Sequence, residues 1–453
     1  MGTIYEQAAK TIVWLGDGNE QTTAAFALLM KLRKLAEYRS LIAALAECTP
    51  VEALQHAQVV VNAVDAGTEL GDGIAGVFVV LKRAWFSRLW TVQEVVVAKS
   101  QLFYCGQDSC SLDDIVALAT LAEYYERSCW QIRNMVRAAK MLWKYAVEYR
   151  KHQRSPLWTL LDAFSQTLYV CSEPHDRIYA LLALQPSSSE PEHCAIAVDY
   201  QLPMTKVVQQ ATEAMIKCTR SLDVLQSRGL QETADVPHWV PSWSAATGIS
   251  RVRRNHTPFT ASKTYPHVWE GSTDGILSVR GRQLTRIEDT TVLMVSKSRD
   301  EALDDFLKTG VILPWYEALL SQKGHSRVEP CFLNLLARTL TCGWAQMDEP
   351  ARHEKTTEAQ LFALLDKLGG RSALHRCHQR RLASLEGVAM IALVPAEAQA
   401  DDVICVVHGS TTPLVLRMAA QKYEYIGACF VEGMMYGEAV DWLEAEASAL
   451  ELV

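Results

Sequence analysis

A short stretch between residues 83 and 106 carries the side chains that are best suited to chemistry. In a helix, Trp90 and Glu94 stand one turn apart on the same face, so that the carboxylate lies against the indole ring. Burial beside the ring raises the pKa of a carboxyl group through desolvation, unless Arg83 or Arg88 pairs with it. Two interpretations stay open: a functional carboxylate, or a structural Arg–Glu pair that holds the helix against a sheet.

Glycine spacing suggests a dinucleotide-binding turn as a second candidate. Residues 71–76 read Gly-Asp-Gly-Ile-Ala-Gly, which fits G-x-G-x-x-G, and Glu94 follows at about the distance of a ribose-binding acid. The fingerprint requires a strand that runs directly into the first glycine, whereas residues 65–70 separate these glycines from any strand. The sequence therefore argues against a dinucleotide site here.

Three other groups of residues also have the right types for a site. The two histidines of segment 375–378 have no matching acidic or thiol pair, so we expect them on a helix surface rather than on a metal. Segment 172–176 contains Ser, His and Asp, but sequence neighbours rarely form a hydrolytic triad, and Asp176 is expected to cap the following helix. The basic segment 251–254 is expected to be a solvated loop.

The elements that must position these side chains alternate between strands and helices. Residues 1–10 predict the end of a helix, and residues 11–18 predict a strand buried on both faces and closed by a glycine turn. Residues 21–64 predict two or three helices, and residues 102–105 predict another strand. Between the two predicted strands, the spacing of four apolar residues predicts one face of an amphipathic helix, formed by Trp85, Leu89, Val92 and Val96. This alternation argues for an α/β layer.

The remaining chain changes from helical to strand-rich patterns. Residues 112–184 are helical in pattern, and another helix ends near Thr219. We predict an α/β domain over residues 1–250 and a β-rich domain with helical insertions over residues 251–453. The segments behind this division are an irregular stretch at 239–243, a strand and turn at 276–281, helices near 300–320 and 357–368, and short strands from 387 to 437.

Composition limits the class of protein. The 453 residues are 49% hydrophobic and 21% charged, and 44 Lys+Arg against 52 Asp+Glu give a net charge of -8, which disfavours both disorder and a nucleic-acid partner. The twelve cysteines have irregular spacings, typical of buried small apolar residues in a reducing compartment. No apolar run is long enough to span a bilayer. We therefore expect a cytoplasmic protein without metal or cofactor.

Four ordered blocks of the sequence resemble the fungal heterokaryon-incompatibility (HET) domain family. The first block is Ile4-Tyr5 with Val13-Trp14-Leu15-Gly16, and the second is the Arg83–Gly106 stretch, which is similar to R-x-W-F-x-R-x-W-x-x-Q-E and a strand ending in Cys-Gly. The third runs from Pro174 to Leu184, and the fourth is Val198-Asp199-Tyr200. A back half that is similar to longer family members includes Asp402-Val403-Ile404-Cys405, Arg417 and Gly437-Glu438-Ala439.

The resemblance implies a fold that begins after the family's opening strands. Family members start with segments similar to Y-x-A-L-S-Y-x-W-G and L-W-I-D-A-I-C-I-N-Q, which this sequence lacks. The expected fold is therefore α/β, a truncated HET sandwich similar to the Toll/interleukin-1 receptor (TIR) fold, with many helices. Some TIR proteins cleave NAD with a glutamate in a W-x-x-x-E setting, and Trp90 and Glu94 have that spacing. The missing opening strands disfavour this activity, because they supply much of the nucleotide pocket.

Two further functions remain open from this resemblance. The leading one is self/non-self recognition and cell-death signalling through a protein partner, on a surface marked by exposed aromatic residues. The alternative is a cofactor-free cyclase of secondary metabolism with an apolar small-molecule ligand between the two halves. The predicted catalytic residues are Glu94, Arg88, Tyr104 and Tyr179. The predicted substrate-binding residues are Trp14, Arg83, Trp85, Trp90 and Gln93.

Overall fold

The chain divides into two compact units in the computed structural model. The first unit comprises Met1–Met204 and Trp243–Ala246, and the second comprises Thr205–Ser242 and Thr247–Val453. The predicted boundary at residues 250 and 251 lies outside the described residues. The structure describes residues 2–45, 50–64, 68–126, 130–165, 169–227, 236–241, 243, 259–263, 265–267, 272–273, 275–291, 312–324, 330–342, 377, 379–387, 390–440 and 446–453.

A three-stranded sheet with the order β1-β2-β3 organises the first unit. Its strands are β1 (Thr11–Trp14), β2 (Gln101–Cys105) and β3 (Asp108–Cys110). β1 and β2 are parallel, with Trp14 opposite Tyr104, and β3 is antiparallel to β2. The parallel pair confirms the predicted α/β arrangement, since strands of this kind require a crossover through helices.

The prediction that β1 is buried on both faces is wrong. Thr11 and Val13 are buried, whereas Ile12 and Trp14 keep 67% and 56% of their side-chain surface exposed. An apolar run alone does not show whether a strand is covered on one face or on both. In this sheet, one face of β1 is covered, and solvent reaches the other.

Helices fill most of the remaining first unit, as predicted. Of the two or three helices predicted between residues 21 and 64, three are present, and the helical pattern of residues 112–184 is confirmed. The helices are α1 (Gly2–Gln7), α2 (Glu20–Leu32), α3 (Ala36–Leu45), α4 (Pro50–Ala63), α5 (Thr68–Leu81), α6 (Trp90–Val96), α7 (Leu112–Tyr125), α8 (Trp130–Arg150), α9 (Leu157–Ser165) and α10 (Asp176–Tyr179).

The predicted helical stripe through Trp85 is wrong in its first part. Residues Ala84–Ser87 form a 3₁₀ turn, and Arg88 is extended, with φ -85° and ψ 128°. Helix α6 begins only at Trp90, and it packs chiefly against α8 and α1. A turn of 3₁₀ helix followed by an extended residue has nearly the same apolar spacing as a continuous helix, which explains the error.

The G-x-G-x-x-G segment lies inside α5 and not in a strand-to-helix turn. α5 packs closely against α2: a methyl group added at Gly73 would lie 2.7 Å from Leu28, and one at Gly76 would overlap the carbonyl oxygen of Gln21. These two glycines therefore bring two helix backbones together, and the sequence argument against a dinucleotide site agrees with this placement.

Strands dominate the second unit, in agreement with the predicted β-rich region. The pairing of β5 with both β12 and β8 closes a ring of five strands, β5-β12-β10-β9-β8, and the end of β5 continues into β6, β7 and β11. The strands are β4 (Ser272–Thr273), β5 (Ile276–Thr290), β6 (Arg380–Leu385), β7 (Ile391–Pro395), β8 (Val403–Val407), β9 (Leu414–Ala419), β10 (Lys422–Ala428), β11 (Phe430–Val431) and β12 (Ser448–Leu452).

Three helices accompany these strands. α11 (Met204–Thr219) ends where the sequence predicts, and α12 (Ile312–Gln322) and α13 (Pro330–Leu340) are insertions between β5 and β6. Trp239 is fully buried in the irregular stretch predicted at this position. The helix predicted at 357–368, the histidines of segment 375–378 and the basic segment 251–254 lie outside the described residues.

The turn predicted at Gly281 is wrong, because this glycine lies within β5. A side chain at Gly281 would come within 2.5 Å of Val407 Cγ1 and 2.7 Å of the Val406 carbonyl oxygen. The strand therefore passes from β12 to β8 at a position where only glycine fits, which is a known use of glycine in bent strands. The fold class as a whole, α/β with a helical N-terminal half and a β-rich C-terminal region, is confirmed.

The cysteines are predominantly buried thiols, as their spacing predicts. Of the ten cysteines in the described part of the chain, seven are buried. Burial raises the pKa of the Cys405 thiol to about 12. Cys405 therefore remains a neutral, apolar core side chain at physiological pH.

Candidate functional site

An apolar surface faces solvent on the open side of the three-stranded sheet. In the parallel register, Ile12 lies beside Leu102 and Trp14 lies beside Tyr104. Ile12 and Trp14 are strongly exposed, and the other two side chains are half-buried. We call these four residues the sheet surface. Because their alternating neighbours Val13 and Phe103 fill the core, the pleat forces the four outward side chains onto one side.

Arg83 holds the turn at the carboxyl end of β1. Its Nη2 donates to the carbonyl oxygen of Asp17 at 2.8 Å, and a Cβ at Gly16 would lie 3.3 Å from its Nη1. Gly16 has φ +98°, a conformation that favours glycine. The Arg83 Nε is buried, and no hydrogen bond to it is found in the described part of the chain. Arg83 therefore anchors the strand end that carries Trp14.

Trp85 is a packing residue beneath the sheet. Its ring lies edge-on to Phe86 and Phe103, with centroid distances of 5.1 and 5.3 Å. Phe103 is fully buried on the helix-covered side of β2. The half-buried indole of Trp85 thus packs against the core through Phe86 and Phe103, and it does not belong to the sheet surface.

The W-x-x-x-E segment forms α6 as predicted, with Trp90, Gln93 and Glu94 in one helix. Glu94 and Arg88 lie close enough to Tyr5 of α1 to influence its ionisation. Partial burial raises the pKa of Tyr5, the negative charge of Glu94 raises it further, and the positive charge of Arg88 lowers it.

The structural alternative for Glu94, an Arg–Glu pair, is not formed. Within the described residues neither Arg83 nor Arg88 makes an ion pair with Glu94, and Arg83 bonds to a backbone carbonyl instead. Gln93 is buried between α6 and α1, where its amide lies next to Gly2. Gln93 and Glu94 therefore lie near α1, and neither belongs to the sheet surface.

Tyr179 belongs to a separate group that joins two of the motif blocks. Its hydroxyl donates to the Asp199 carbonyl oxygen at 3.1 Å and accepts from the Asp199 N–H at 3.2 Å. The Tyr200 hydroxyl donates to Asp176 Oδ1 at 2.8 Å, and the two tyrosine rings meet edge-on at 5.2 Å. These bonds hold segment 198–200 against α10, and we call the four residues Asp176, Tyr179, Asp199 and Tyr200 the clasp. The Tyr179 hydroxyl therefore has a structural role.

The prediction that Asp176 caps a helix is wrong. His175 occupies the N-cap position of α10 without a side-chain cap, and Asp176 is the first helical residue and accepts the Tyr200 hydroxyl instead. The ring nitrogen Nε2 of His175 lies 2.8 Å from the Leu202 carbonyl oxygen. The segment 172–176 therefore shows no hydrolytic arrangement, as the sequence argued.

The clasp gives a direct prediction for Tyr200. Partial burial and the bond to Asp176 raise the pKa of Tyr200 to about 12, so the phenol is protonated and donates at neutral pH. Replacing Tyr200 by phenylalanine removes one hydrogen bond to a charged acceptor. We expect a loss of about 1–2 kcal/mol in the free energy of unfolding. Urea unfolding of Tyr200→Phe and of the exposed control Val198→Ala measures the difference, and equal stability of the two variants would contradict the clasp.

The predicted site residues thus occupy four places, of which the first is the 3₁₀ segment before α6, with Arg83, Trp85 and Arg88. Trp14 and Tyr104 are adjacent on the sheet surface, Trp90, Gln93 and Glu94 lie on α6, and Tyr179 lies in the clasp. Sequence reasoning missed Ile12 and Leu102. Their signal was the period-two alternation of the two strands, which predicts that residues beside Trp14 and Tyr104 share one face once the register is known.

Neither a metal-binding cluster nor a helix able to span a membrane is found in the part of the chain that the structure describes. No group of three or more His, Cys, Asp or Glu side chains among them could hold a metal ion. None of the helices that are described combines the length and apolarity needed to cross a bilayer. A small apolar cavity of the first unit is lined by Ala25, Phe26, Val77, Val80, Leu81, Cys110, Ile115 and Leu118, and none of the predicted catalytic residues lines it.

Comparison with known proteins identifies the N-terminal segment. Residues 1–94 match the family described as Heterokaryon incompatibility protein (HET). The matched segment includes β1, α6 up to Glu94, the first motif block and the Arg83–Glu94 part of the second block, so the resemblance is confirmed over these residues. No curated protein and no solved structure matches the chain.

Proposed function

We propose that this chain acts in cytoplasmic self/non-self recognition and cell-death signalling of the heterokaryon-incompatibility type, with the sheet surface as its protein contact. The match of residues 1–94 to the HET family supports the signalling class. The sheet surface supports the contact, because the large apolar side chains of Ile12 and Trp14 are both exposed on the same face of β1.

The observation that carries this proposal is the exposure of Trp14. Tryptophan is enriched at the centres of protein interfaces and is rarely left in solvent without a partner. Trp14 keeps 56% of its surface exposed, although it belongs to a strand and is flanked by Ile12 and Tyr104. A monomer that needed Trp14 only for its core would place it on the covered side of the sheet, where Val13 stands.

Replacement of Trp14 by alanine tests the proposal. Inducible expression of the wild-type chain in a fungal host is expected to lower the number of viable cells, and Trp14→Ala is expected to restore viability at least about tenfold, the effect of losing a hot-spot contact. The matched control is Tyr125→Ala, which removes a similarly exposed aromatic ring from α7. Equal killing by wild type and Trp14→Ala at equal protein levels would overturn the role of the sheet surface.

The other two functions stay predictions. A cofactor-free cyclase would use Glu94, Arg88, Tyr104 and Tyr179 to polarise its substrate, but Tyr179 holds Asp199 and Tyr104 faces the open side of the sheet. An NAD hydrolase would need Glu94 at the nucleotide, whereas this side chain lies near Tyr5 of α1. No contact within the described residues favours either activity over signalling.

A further inference from the structure

The segment between the third and fourth motif blocks contains a short polar loop that is open to solvent. Residues 187–192 read Ser-Ser-Ser-Glu-Pro-Glu, and all six of them are exposed. We call these six residues the serine loop. Pro186 just before the loop and Cys194 shortly after it are buried. The three serine hydroxyls are therefore presented at the surface by a loop whose two ends lie in the protein.

The base of the serine loop is held by bonds that involve no serine. The side-chain amide of Gln185 donates to the Cys194 carbonyl oxygen at 3.1 Å and accepts from the Cys194 N–H at 3.0 Å. The ring nitrogen Nδ1 of His193 lies 2.8 Å from the Pro186 carbonyl oxygen. A covalent change at a serine hydroxyl therefore leaves the bonds at the base of the loop in place.

Two of the three serines have a carboxylate at the same spacing. Glu190 is the third residue after Ser187, and Glu192 is the third residue after Ser189, whereas the third residue after Ser188 is a proline. Protein kinases distinguish their substrates partly by the charges that flank the acceptor residue, and a carboxylate pairs with lysine or arginine in the substrate groove. The hydroxyl oxygens of Ser187 and Ser189 lie 3.2 Å apart at the surface.

We propose that Ser187 and Ser189 are phosphorylation sites for a serine kinase that selects acidic substrates. The serine Oγ attacks the γ-phosphorus of ATP, the bond from this phosphorus to the bridging oxygen of ADP breaks, and the hydroxyl proton passes to the base of the kinase. Each phosphate adds about -1.5 to -2 charges at pH 7. The modification changes the charge of this surface and not the fold, and the inference does not depend on the sheet surface.

The fold separates these serines from another one with the same flanking charges. Ser111 is followed by two aspartates, of which Asp114 is the third residue after it. The Ser111 hydroxyl donates to Asp114 Oδ2 at 2.7 Å and accepts from the Asp114 N–H at 3.1 Å, so it caps α7. A hydroxyl used in this way is not available to a kinase in the folded chain. Flanking charge alone selects all three serines, and exposure selects the two in the serine loop.

Incubation of the folded full chain with magnesium-ATP and casein kinase 2, a kinase that selects acidic substrates, tests the proposal. Mass spectrometry of the peptides is expected to find phosphate on Ser187 and Ser189. Replacing both by alanine should lower phosphate incorporation at least about tenfold, and Glu192→Gln should lower it at Ser189. The matched control is Ser188→Ala, which removes an equally exposed hydroxyl without a carboxylate at this spacing and should leave incorporation as in wild type.

Three results would overturn the assignment of these two serines. They are a chain that takes up no phosphate, equal uptake by the double alanine variant and wild type, and phosphate on Ser111 or Ser188 of the folded chain at the level of Ser187. Urea unfolding of the phosphorylated and unmodified chains measures the effect on the fold. Equal midpoints are expected, because Gln185 and Cys194 hold the base of the loop. A lower midpoint after phosphorylation would overturn the conclusion that only surface charge changes.

Discussion

Alanine at Gly76 is expected to destabilise the first unit, whereas alanine at Gly71 in the same helix is expected to stabilise it. In solvent-exposed helices, the change from glycine to alanine gains about 1 kcal/mol. At Gly71 the added methyl group would meet only the Tyr125 hydroxyl at 3.7 Å, an ordinary contact, so the gain is retained. At Gly76 it would overlap the Gln21 carbonyl oxygen and lie 3.0 Å from the Ala25 nitrogen, both of them backbone atoms of α2.

The backbone of α2 cannot move aside as a flexible side chain could, so α2 and α5 must separate. Forcing extra volume into a well-packed contact costs about 1–3 kcal/mol, and we expect a net loss of about 2 kcal/mol for Gly76→Ala. Urea unfolding followed by far-ultraviolet circular dichroism measures both variants, and Gly71→Ala serves as the control for helix propensity. A stabilised Gly76→Ala would show that α2 and α5 do not approach as closely as described.

These glycines show how a sequence motif can be present without its usual function. The spacing in residues 71–76 satisfies a dinucleotide fingerprint, yet Gly73 and Gly76 lie on the side of α5 that contacts α2. Residues three apart in a helix share one face, so the same spacing also suits close helix packing. Because no strand precedes Gly71, the sequence alone argues for helix packing and against a dinucleotide-binding turn. It does not show which helix packs against these glycines.

The secondary structure was predictable where one periodicity extends over many residues. The helices between residues 21 and 64 and the strand before Gly106 follow from local spacing. Errors arose where local spacing is ambiguous. At Trp85, a 3₁₀ turn has nearly the apolar spacing of a helix. At Gly281, the glycine suggests a turn, but it lies within a strand, where Val407 of a distant strand leaves no room for a side chain. Contacts between residues far apart in sequence decide such positions.

The motif blocks indicated a resemblance to a family, which the match of residues 1–94 bears out, but they did not show the roles of their residues. Asp176 and Tyr200 come from different blocks and bond to each other, a contact that the blocks themselves did not predict. In the second unit, Asp402 is almost fully buried and accepts two hydrogen bonds from Arg417, at 2.8 and 3.0 Å. Spacing along the chain cannot predict such pairs, because their geometry depends on the packing of separate elements.

A buried carboxylate that sequence reasoning did not single out, Asp114, should be the most pH-sensitive stabilising group of the first unit. It lies at the start of α7 and accepts hydrogen bonds from Arg33 Nη2 at 2.7 Å, from the Tyr38 hydroxyl at 3.1 Å and from the Ser111 backbone N–H at 3.0 Å. Asp114 thus joins α2, α3 and α7. Burial alone would raise its pKa, but the bonds from Arg33 and Ser111 outweigh burial and lower it.

Replacing Asp114 by asparagine should therefore cost about 2–3 kcal/mol at neutral pH, less than for a fully buried ion pair because Arg33 is partly exposed. The pKa of Asp114 is lower in the folded state than in the unfolded chain, where it is about 3.9. The ionised carboxylate therefore stabilises the fold fully above that value. This stabilisation is lost as the pH falls through the pKa of the folded state. The stability difference between wild type and Asp114→Asn should thus shrink on acidification, whereas the exposed control Asp72→Asn should differ little from wild type at any pH. Urea unfolding of the three proteins across the acid range measures this, and a difference that stays constant down to the lowest pH would show that the charge of Asp114 does not hold these three helices together.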